Sequence, residues 1–476
     1  MKEKKSPRVL FAVWELEPFF KVGGLGEVAH SLPKALYDIN VDISVILPHY
    51  RALKTFGMRK SIVGKLKIKY GKKSLQVIVS KIRFLNDNIP VYLVENKEYF
   101  DKPVEGTFAV FALVVVELLK IKLIPGQDFD IVHCNDYHCG LIPLLLSVKQ
   151  VKIKTLLTIH CVSHQRRSPV EIATMMGIPI EKLTLMKWET KERQLNFLLE
   201  GIIHADYINT VSPTYLKEIQ TEEGGAELDR AILKNIVKIS AILNGIDYET
   251  RNPATNPNLA VRYGKDRKPL LARKANKALL QQKFALPVRP DVTVIGFIGR
   301  LVVDQKGIDM LHRMLWREEF DHCQFVIMGH GEDAWEERFA TLSAFFPDTI
   351  SVSTKYDDAL ASIIYAGSDF VLIPSRFEPC GLIQMNAMRY GSIPIARETG
   401  GLNDTITHGK NGILYQEPTS NGLYKAINQG LELKKNTPKK YVEMIEEAMK
   451  TDFSWAKSAK EYLALYHKIT SEDSRH

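Results

Sequence analysis

Three short stretches of this sequence gather cations, a carboxylate and glycines in a pattern that suits an anionic sugar ligand. In the run SRFEPCGLIQMNAMRYG (375–391), Glu378 and Cys380 flank a proline, Gly381 and Leu382 lead into apolar residues at helical spacing, and Thr399, Gly400 and Gly401 follow shortly after. In FIGRLVVDQKGIDML, Arg300 and Lys306 share one loop, and in ELEPFFKVGGLGEVAH, Lys21 stands before Gly23, Gly24 and Gly26. A guanidinium fork and an ammonium point charge can together bridge the two phosphates of a diphosphate leaving group. Glycines at the start of a helix let backbone amides approach such an anion. The chemistry indicated is the holding of a phosphorylated sugar, with Glu378 beside it.

The elements that must position these residues are legible from apolar periodicity. DFVLIP (369–374) is a buried-strand pattern, so Glu378, Pro379 and Cys380 fall on a strand-to-helix turn, the edge where open α/β sheets bind ligands. Leu25, Val28, Ala29, Leu32 and Leu36 follow helical spacing, which sets Gly23, Gly24 and Gly26 at a loop and first helical turn. GLGEVA also fits the dinucleotide pattern G-x-G-x-x-A. That fingerprint needs its first glycine directly after the strand, whereas Gly24 lies about ten residues beyond Val13, so a phosphate clamp with Lys21 fits better. The segment DFDIVHCNDYHCG (128–140) offers metal-ligand residue types, but their spacing matches none of the usual zinc patterns. DFD reads as a cap before a strand. Asp136 and, at the tip of the next strand, His160 read as substrate contacts on one sheet edge.

Strand-like and helix-like stretches alternate along the chain, which signals α/β layers with parallel sheets. The first set of strands is expected at 9–13, 43–47, 91–94, 130–133, 156–159, 207–210 and 239–243. A second set is expected at 292–298, 325–328, 370–373 and 393–396. A polar stretch containing NPATNPN and RKP separates them. The expected domains are therefore 1–247 and 248–455, with 456–476 as a terminal amphipathic helix packing back on the first domain, and ligands are expected in a cleft between the two sheets.

Length and composition bound the reading. At 476 residues, the chain exceeds one core; 45% hydrophobic and 25% charged residues describe an ordinary globular protein. The net charge of +9 is scattered, and only KLKIKYGKK (65–73) is dense, where alternation gives a strand with one wet basic face. No aromatic interleaving accompanies it, which argues against a nucleic-acid partner. The apolar run 108–116 is far shorter than the roughly 20 residues of a membrane helix, and the apolar stretch after MKEKK is too short for a signal segment. Five cysteines without a CxxC pair suit a reducing cytoplasm.

Taken in order, KVGGLGEV, TVSPTYLKEIQT, LNGID, NPAT, GRLVVDQKGID, PSRFEPCGLIQM, MRYG and TGGLNDT closely resemble bacterial glycogen synthases and plant starch synthases across almost the whole chain. The resemblance implies a GT-B fold, two Rossmann-like doubly wound α/β domains facing across a cleft. It also implies a retaining glycosyltransferase that moves glucose from ADP-glucose, or UDP-glucose, to the non-reducing 4-hydroxyl of an α-1,4-glucan, without cofactor or metal. Carried over by motif, Lys21, Gly23, Gly24, Arg300 and Lys306 would hold the donor's diphosphate, and His160 and Asp136 would meet the glucosyl unit. Glu378 would support the sugar, Cys380, Gly381, Leu382, Thr399 and Gly400 would add phosphate or sugar contacts, and Tyr356 would lie near the adenine.

Departures from the family pattern fall mostly in the first domain. They are Glu27 for Asp, Cys161 for Asn, His164–Gln165–Arg166 for aromatic-Gln-Gly and Leu199–Glu200 for Lys-Gly, with Arg251 for Trp at the junction. They keep two rivals in view: a related retaining transferase with another donor or acceptor, and a catalytically weak glucan-binding relative.

Overall fold

The structure, a computed structural model, describes residues 6–55, 57–83, 89–102, 104–126, 128–184, 194–264, 269–317, 320 and 322–471. The chain forms two compact units, Met1–Gly245 with Trp455–His476, and Ile246–Ser454. It thus leaves the first unit once and returns to it with its last helix, Trp455–Ser471. Arg267 and Lys268 of the RKP stretch, the first five residues and the last five lie outside the described residues.

Unit 1 carries strands β1 (Arg8–Ala12), β2 (Asp42–Pro48), β3 (Ser61–Tyr70), β4 (Lys73–Arg83), β5 (Pro90–Glu95), β6 (Ile131–Asn135), β7 (Lys154–Ile159), β8 (Arg167–Pro169), β9 (Gln194–Asn196), β10 (Tyr207–Thr210) and β11 (Ile239–Ala241). Nine of them form one sheet in the order β11-β10-β7-β6-β1-β2-β5-β4-β3, and β8 with β9 forms a separate ribbon. The pairs from β11 to β5 are parallel, and β4 is antiparallel to both β5 and β3. Both faces of β1 are buried: Leu10 and Ala12 join one apolar cluster, Val9 and Phe11 another. A strand covered on both faces reads as continuous apolar sequence, as VLFAV does.

The basic segment is the edge strand β3, in which Leu66, Ile68 and Tyr70 are buried and Lys65, Lys67 and Lys69 exposed. Lysines there hinder edge-to-edge pairing with another sheet, a structural use for the dense charge. The last helix lies in the second cluster through Trp455, Ala459, Tyr462, Tyr466 and Ile469. Its tyrosines also find polar partners: Tyr466 Oη lies 2.8 Å from His133 Nδ1, and Tyr462 Oη accepts from Asn209 Nδ2 at 2.9 Å. A buried phenol keeps its place only if its hydroxyl is satisfied.

Unit 2 carries β12 (Thr293–Ile298), β13 (Cys323–Met328), β14 (Ile350–Ser353), β15 (Phe370–Ile373), β16 (Ile393–Arg397) and β17 (Ile413–Tyr415) in one parallel sheet ordered β14-β13-β12-β15-β16-β17. Among the described residues, its core is one apolar cluster that includes Val294, Ile327, Val371 and Ile395. Asp369, just before β15, anchors the start of this sheet, lying 3.0 Å from Lys277 and 2.9 Å from Lys434. These two ammonium groups and the Val294 amide hold its carboxyl below the ordinary value against the opposing pull of burial.

Candidate active site

In unit 2 the chain runs outward from β12 through β13 to β14, then crosses to the other side of β12 for β15, β16 and β17. The strand order therefore reverses between β12 and β15, and a crevice forms where the loops leaving those two strands diverge. Lys306 is on the loop after β12, at the end of the helical turn Val303–Lys306, and Glu378 is on the loop after β15. Their charged groups meet, Nζ to Oε2, at 2.5 Å, with side chains 17% and 9% exposed. Ser375 Oγ donates to the same carboxylate oxygen at 2.9 Å.

The approach of these loops depends on Gly307, whose φ is +62°; a Cβ there would lie 2.3 Å from the Pro374 carbonyl. The third loop, after β16, is joined to the same place. The Gly401 amide donates to the Glu378 carbonyl at 3.0 Å, and Gln384 Nε2 donates to the carbonyls of Cys380 and Gly381 and to Thr405 Oγ1. Thr399 immediately precedes the helix Gly400–Thr405, Leu382 immediately precedes Ile383–Arg389, and Gly381 takes φ +75° between them and Glu378. Thus Lys306, Glu378, Cys380, Gly381, Leu382, Thr399 and Gly400 come together on adjacent loops, the Cys380 side chain itself being buried.

Arg300 is exposed on the β12 loop and donates through Nη2 to Gln305 Oε1 at 2.5 Å, while the Gln305 carbonyl accepts from the Arg376 amide. It follows the same strand as Lys306. Tyr356 follows β14, an edge strand separated from β12 by β13, and its hydroxyl donates to Asp358 at 2.8 Å. Arg251, one of the residues that depart from the family pattern, pairs with the same Asp358 carboxylate at 3.1 Å.

Unit 1 repeats the logic. Its order reverses between β1 and β6, since β2 and β5 lie to one side of β1 and β6, β7, β10 and β11 to the other. The loop after β1 carries Lys21 and ends at Gly23, and Gly24 opens the helix Gly24–Asp38. The glycine amides of this stretch are expected to face a ligand anion. The Gly23 amide donates to Glu15 Oε2 at 3.0 Å and the Val22 amide to the same oxygen at 2.5 Å, so a carboxylate of the chain itself already holds the Gly23 amide. Glu15 is only 3% exposed. Burial raises its carboxyl above the ordinary value, against the lowering pull of those amides and of Lys21. Lys21 Nζ itself lies 2.9 Å from Glu17 and 3.6 Å from Glu27.

Asp136 follows β6 with φ +53° and accepts the His160 amide at 2.7 Å and the Cys161 amide at 3.4 Å. Burial nevertheless pushes its carboxyl up to about 7, the amides only partly offsetting it. His160, just past β7, has Nε2 2.9 Å from Asn135 Oδ1, and burial lowers its imidazole to about 3, so the ring is neutral. The other metal-type residues of this segment have different work. His133 is bonded to Tyr466 and to Thr158 Oγ1, and Cys139 donates to the Ala12 carbonyl. Asp130, read as a cap, accepts the Arg8 amide across the sheet start at 2.8 Å.

Two features escaped the sequence reading. Glu15 looked like one of two ordinary acids before a proline, and no spacing rule marks a carboxylate that folds back on a glycine loop. The second is an aromatic group: His138 stacks on Trp14 and Tyr137, with centroids at 4.5 and 3.7 Å, and meets Phe108 edge-on at 4.8 Å. Both His138 ring nitrogens are buried without a hydrogen-bond partner among the described residues. Trp14, Phe108 and Tyr137 are far apart in sequence, so only the fold reveals the group.

Two doubly wound α/β units, each with glycine- and cation-bearing loops at its strand-order reversal, match the architecture of GT-B glycosyltransferases. The starch synthase catalytic domain family matches residues 8–234, and the glycosyl transferases group 1 family matches 280–451. Glycogen synthase of Thermosipho melanesiensis is 38% identical over 98% of this chain and 99% of that protein, and glycogen synthase of Exiguobacterium sibiricum is 38% identical over 97% and 99%. Among solved structures, the catalytic domain of starch synthase IV from Arabidopsis thaliana, bound to ADP and acarbose, superposes with a TM-score of 0.89 at 30% identity, covering 98% of this chain and 100% of that one. Sucrose-phosphate synthase from Thermosynechococcus elongatus, at 17% identity and a TM-score of 0.63, shares the fold. The chain belongs to the glycogen synthase family.

Proposed function

We propose that this chain transfers glucose from ADP-glucose to the non-reducing end of an α-1,4-glucan with retention of anomeric configuration, acting in the cytoplasm. The observation that carries this reading is the Lys306–Glu378 pair at the β12/β15 reversal. An ammonium group has three protons, and one directed at Glu378 leaves two for the departing diphosphate. As the bond from the anomeric carbon to the phosphate oxygen breaks, negative charge grows on ADP and positive charge on the sugar. Lys306 and Arg300 stabilise the first, and Glu378 the second, as charges that unit 2 fixes before the reaction begins; Lys21 of unit 1 is proposed as a further diphosphate contact. Asp136 and the neutral His160 bind hydroxyls of the glucosyl unit. No side-chain nucleophile is invoked; same-face attack by the acceptor hydroxyl, with its proton passing to the departing phosphate, gives retention. The likeness to a starch synthase bound to ADP supports adenine as the base.

The test is incubation of the purified chain with ADP-glucose or UDP-glucose and glycogen, followed by digestion of the product with an enzyme specific for α-1,4 bonds. Growth of a digestible glucan from ADP-glucose is the expected result. Use of UDP-glucose alone would overturn the donor assignment, and glucan binding without transfer from either donor would overturn the enzyme reading.

A further inference from the structure

Asn135, at the last position of β6, is fully buried and opposite Thr158 of β7. Its amide nitrogen faces two backbone carbonyls, Ala12 at 3.0 Å and His133 at 3.4 Å. Turning the amide over would aim its oxygen at those two carbonyl oxygens, so the neighbours dictate which end is which. The oxygen, an acceptor only, then faces His160 Nε2 at 2.9 Å. That nitrogen must bear the proton.

We propose that Asn135 is a positioning residue that fixes His160 as the neutral Nε2–H tautomer, so that the ring can meet a hydroxyl of the transferred sugar only as an acceptor, through Nδ1. A neutral imidazole has one donor and one acceptor nitrogen, and the hydrogen bond at one decides the role of the other. The burial that lowers His160 to about 3 keeps the second proton off. The His160 backbone amide is held separately by the Asp136 carboxylate, so the place of the backbone and the proton on the ring have different anchors. Losing the Asn135 oxygen would let the proton move to Nδ1, presenting a donor where the substrate hydroxyl has its own proton to give. The inference rests on the proposed sugar-transfer reading.

The test uses the full chain labelled with nitrogen-15 in its histidine rings, with the His160 resonances assigned from His160→Gln. Long-range proton–nitrogen spectra of the wild type are expected to show the proton on Nε2 of His160. Asn135→Ala is expected to show mixed or Nδ1 protonation and at least a tenfold fall in kcat, with the KM for ADP-glucose changed less than about threefold. Asn135→Ser, which also lacks the oxygen that faces His160, is the second variant and should behave alike if the alanine form does not fold. An active wild type with Nδ1–H at His160, or variants that keep both kcat and the Nε2–H signal, would overturn the inference. A wild type inactive on every nucleotide sugar would overturn the transfer reading on which it rests, whatever the tautomer.

Discussion

Lys306 Nζ and Glu378 Oε2 lie 2.5 Å apart, although the two residues are 72 positions apart in sequence and stand on loops after different strands. Removing the lysine leaves a nearly buried carboxylate without its cation and takes a charge from the leaving group. Loss of one charge-assisted hydrogen bond costs about 1.5–3 kcal/mol, roughly a tenfold loss of rate or more. Lys306→Ala and Arg300→Ala should each lower turnover at least tenfold in a glucose-incorporation assay. Unchanged turnover in both would remove the leaving-group role.

Glu15 stands in a similar relation to the glycine loop. Glu15→Ala leaves the Val22 and Gly23 amides without their acceptor, at a cost of about 1–3 kcal/mol in urea unfolding. The loop carrying Lys21 should lose its shape as well, raising the KM for the nucleotide sugar. Glu15→Gln, which keeps an acceptor oxygen, should lose less on both counts.

Asp136 predicts a pH dependence of stability. Its folded-state carboxyl is raised to about 7, above the unfolded value near 3.8, so between these the folded chain holds a proton that the unfolded chain has released. The group's contribution is therefore fully present below about pH 4 and lost as pH rises through about 7. Asp136→Asn should gain stability relative to wild type from pH 4.5 to pH 7.5, as read by urea unfolding at each pH. Parallel curves for the two proteins would show that Asp136 is not raised.

Gly401 separates two loops of the unit 2 site. A Cβ there would lie 2.3 Å from the Cys380 carbonyl, a backbone atom that cannot rotate away. Gly401→Ala should push the two loops apart, with an overpacking cost of about 1–3 kcal/mol in unfolding and at least a tenfold drop in kcat. Wild-type kcat in a folded variant would mean that the spacing of these loops does not matter for transfer.

Tyr466→Phe tests the tie between the last helix and β6. It strips His133 Nδ1 of its partner in a fully buried site, and should lower stability by about 1–3 kcal/mol in urea unfolding while leaving KM for the donor near the wild-type value. A variant as stable as wild type would show that the Tyr466–His133 contact adds nothing to holding the helix.

Much of this architecture was readable from periodicity. The expected strands at 207–210 and 370–373 coincide with β10 and β15, and the alternation of KLKIKY gives the wet and buried faces of β3. The expected sets do not include β4, β8, β9, β14 or β17. β8, β9 and β17 are only three residues long and β14 four, too short to show a period, and β4 lies between β5 and β3 with Ser74, Gln76 and Ser80 interrupting its apolar residues. The strand-end positions of Asp136, His160, Arg300, Lys306 and Glu378 were legible because apolar runs stop abruptly before them.

The sequence by itself determined two α/β units, the ends of their strands and the residue types waiting there, because backbone periodicity and burial follow from local composition. Tertiary structure alone decided which oxygen meets which nitrogen. That Lys306 lies on Glu378, that Glu15 occupies the Val22 and Gly23 amides, and that Asn135 accepts from His160 all depend on strand order and side-chain direction. Those are set by packing between residues far apart along the chain, and no spacing within a motif encodes them.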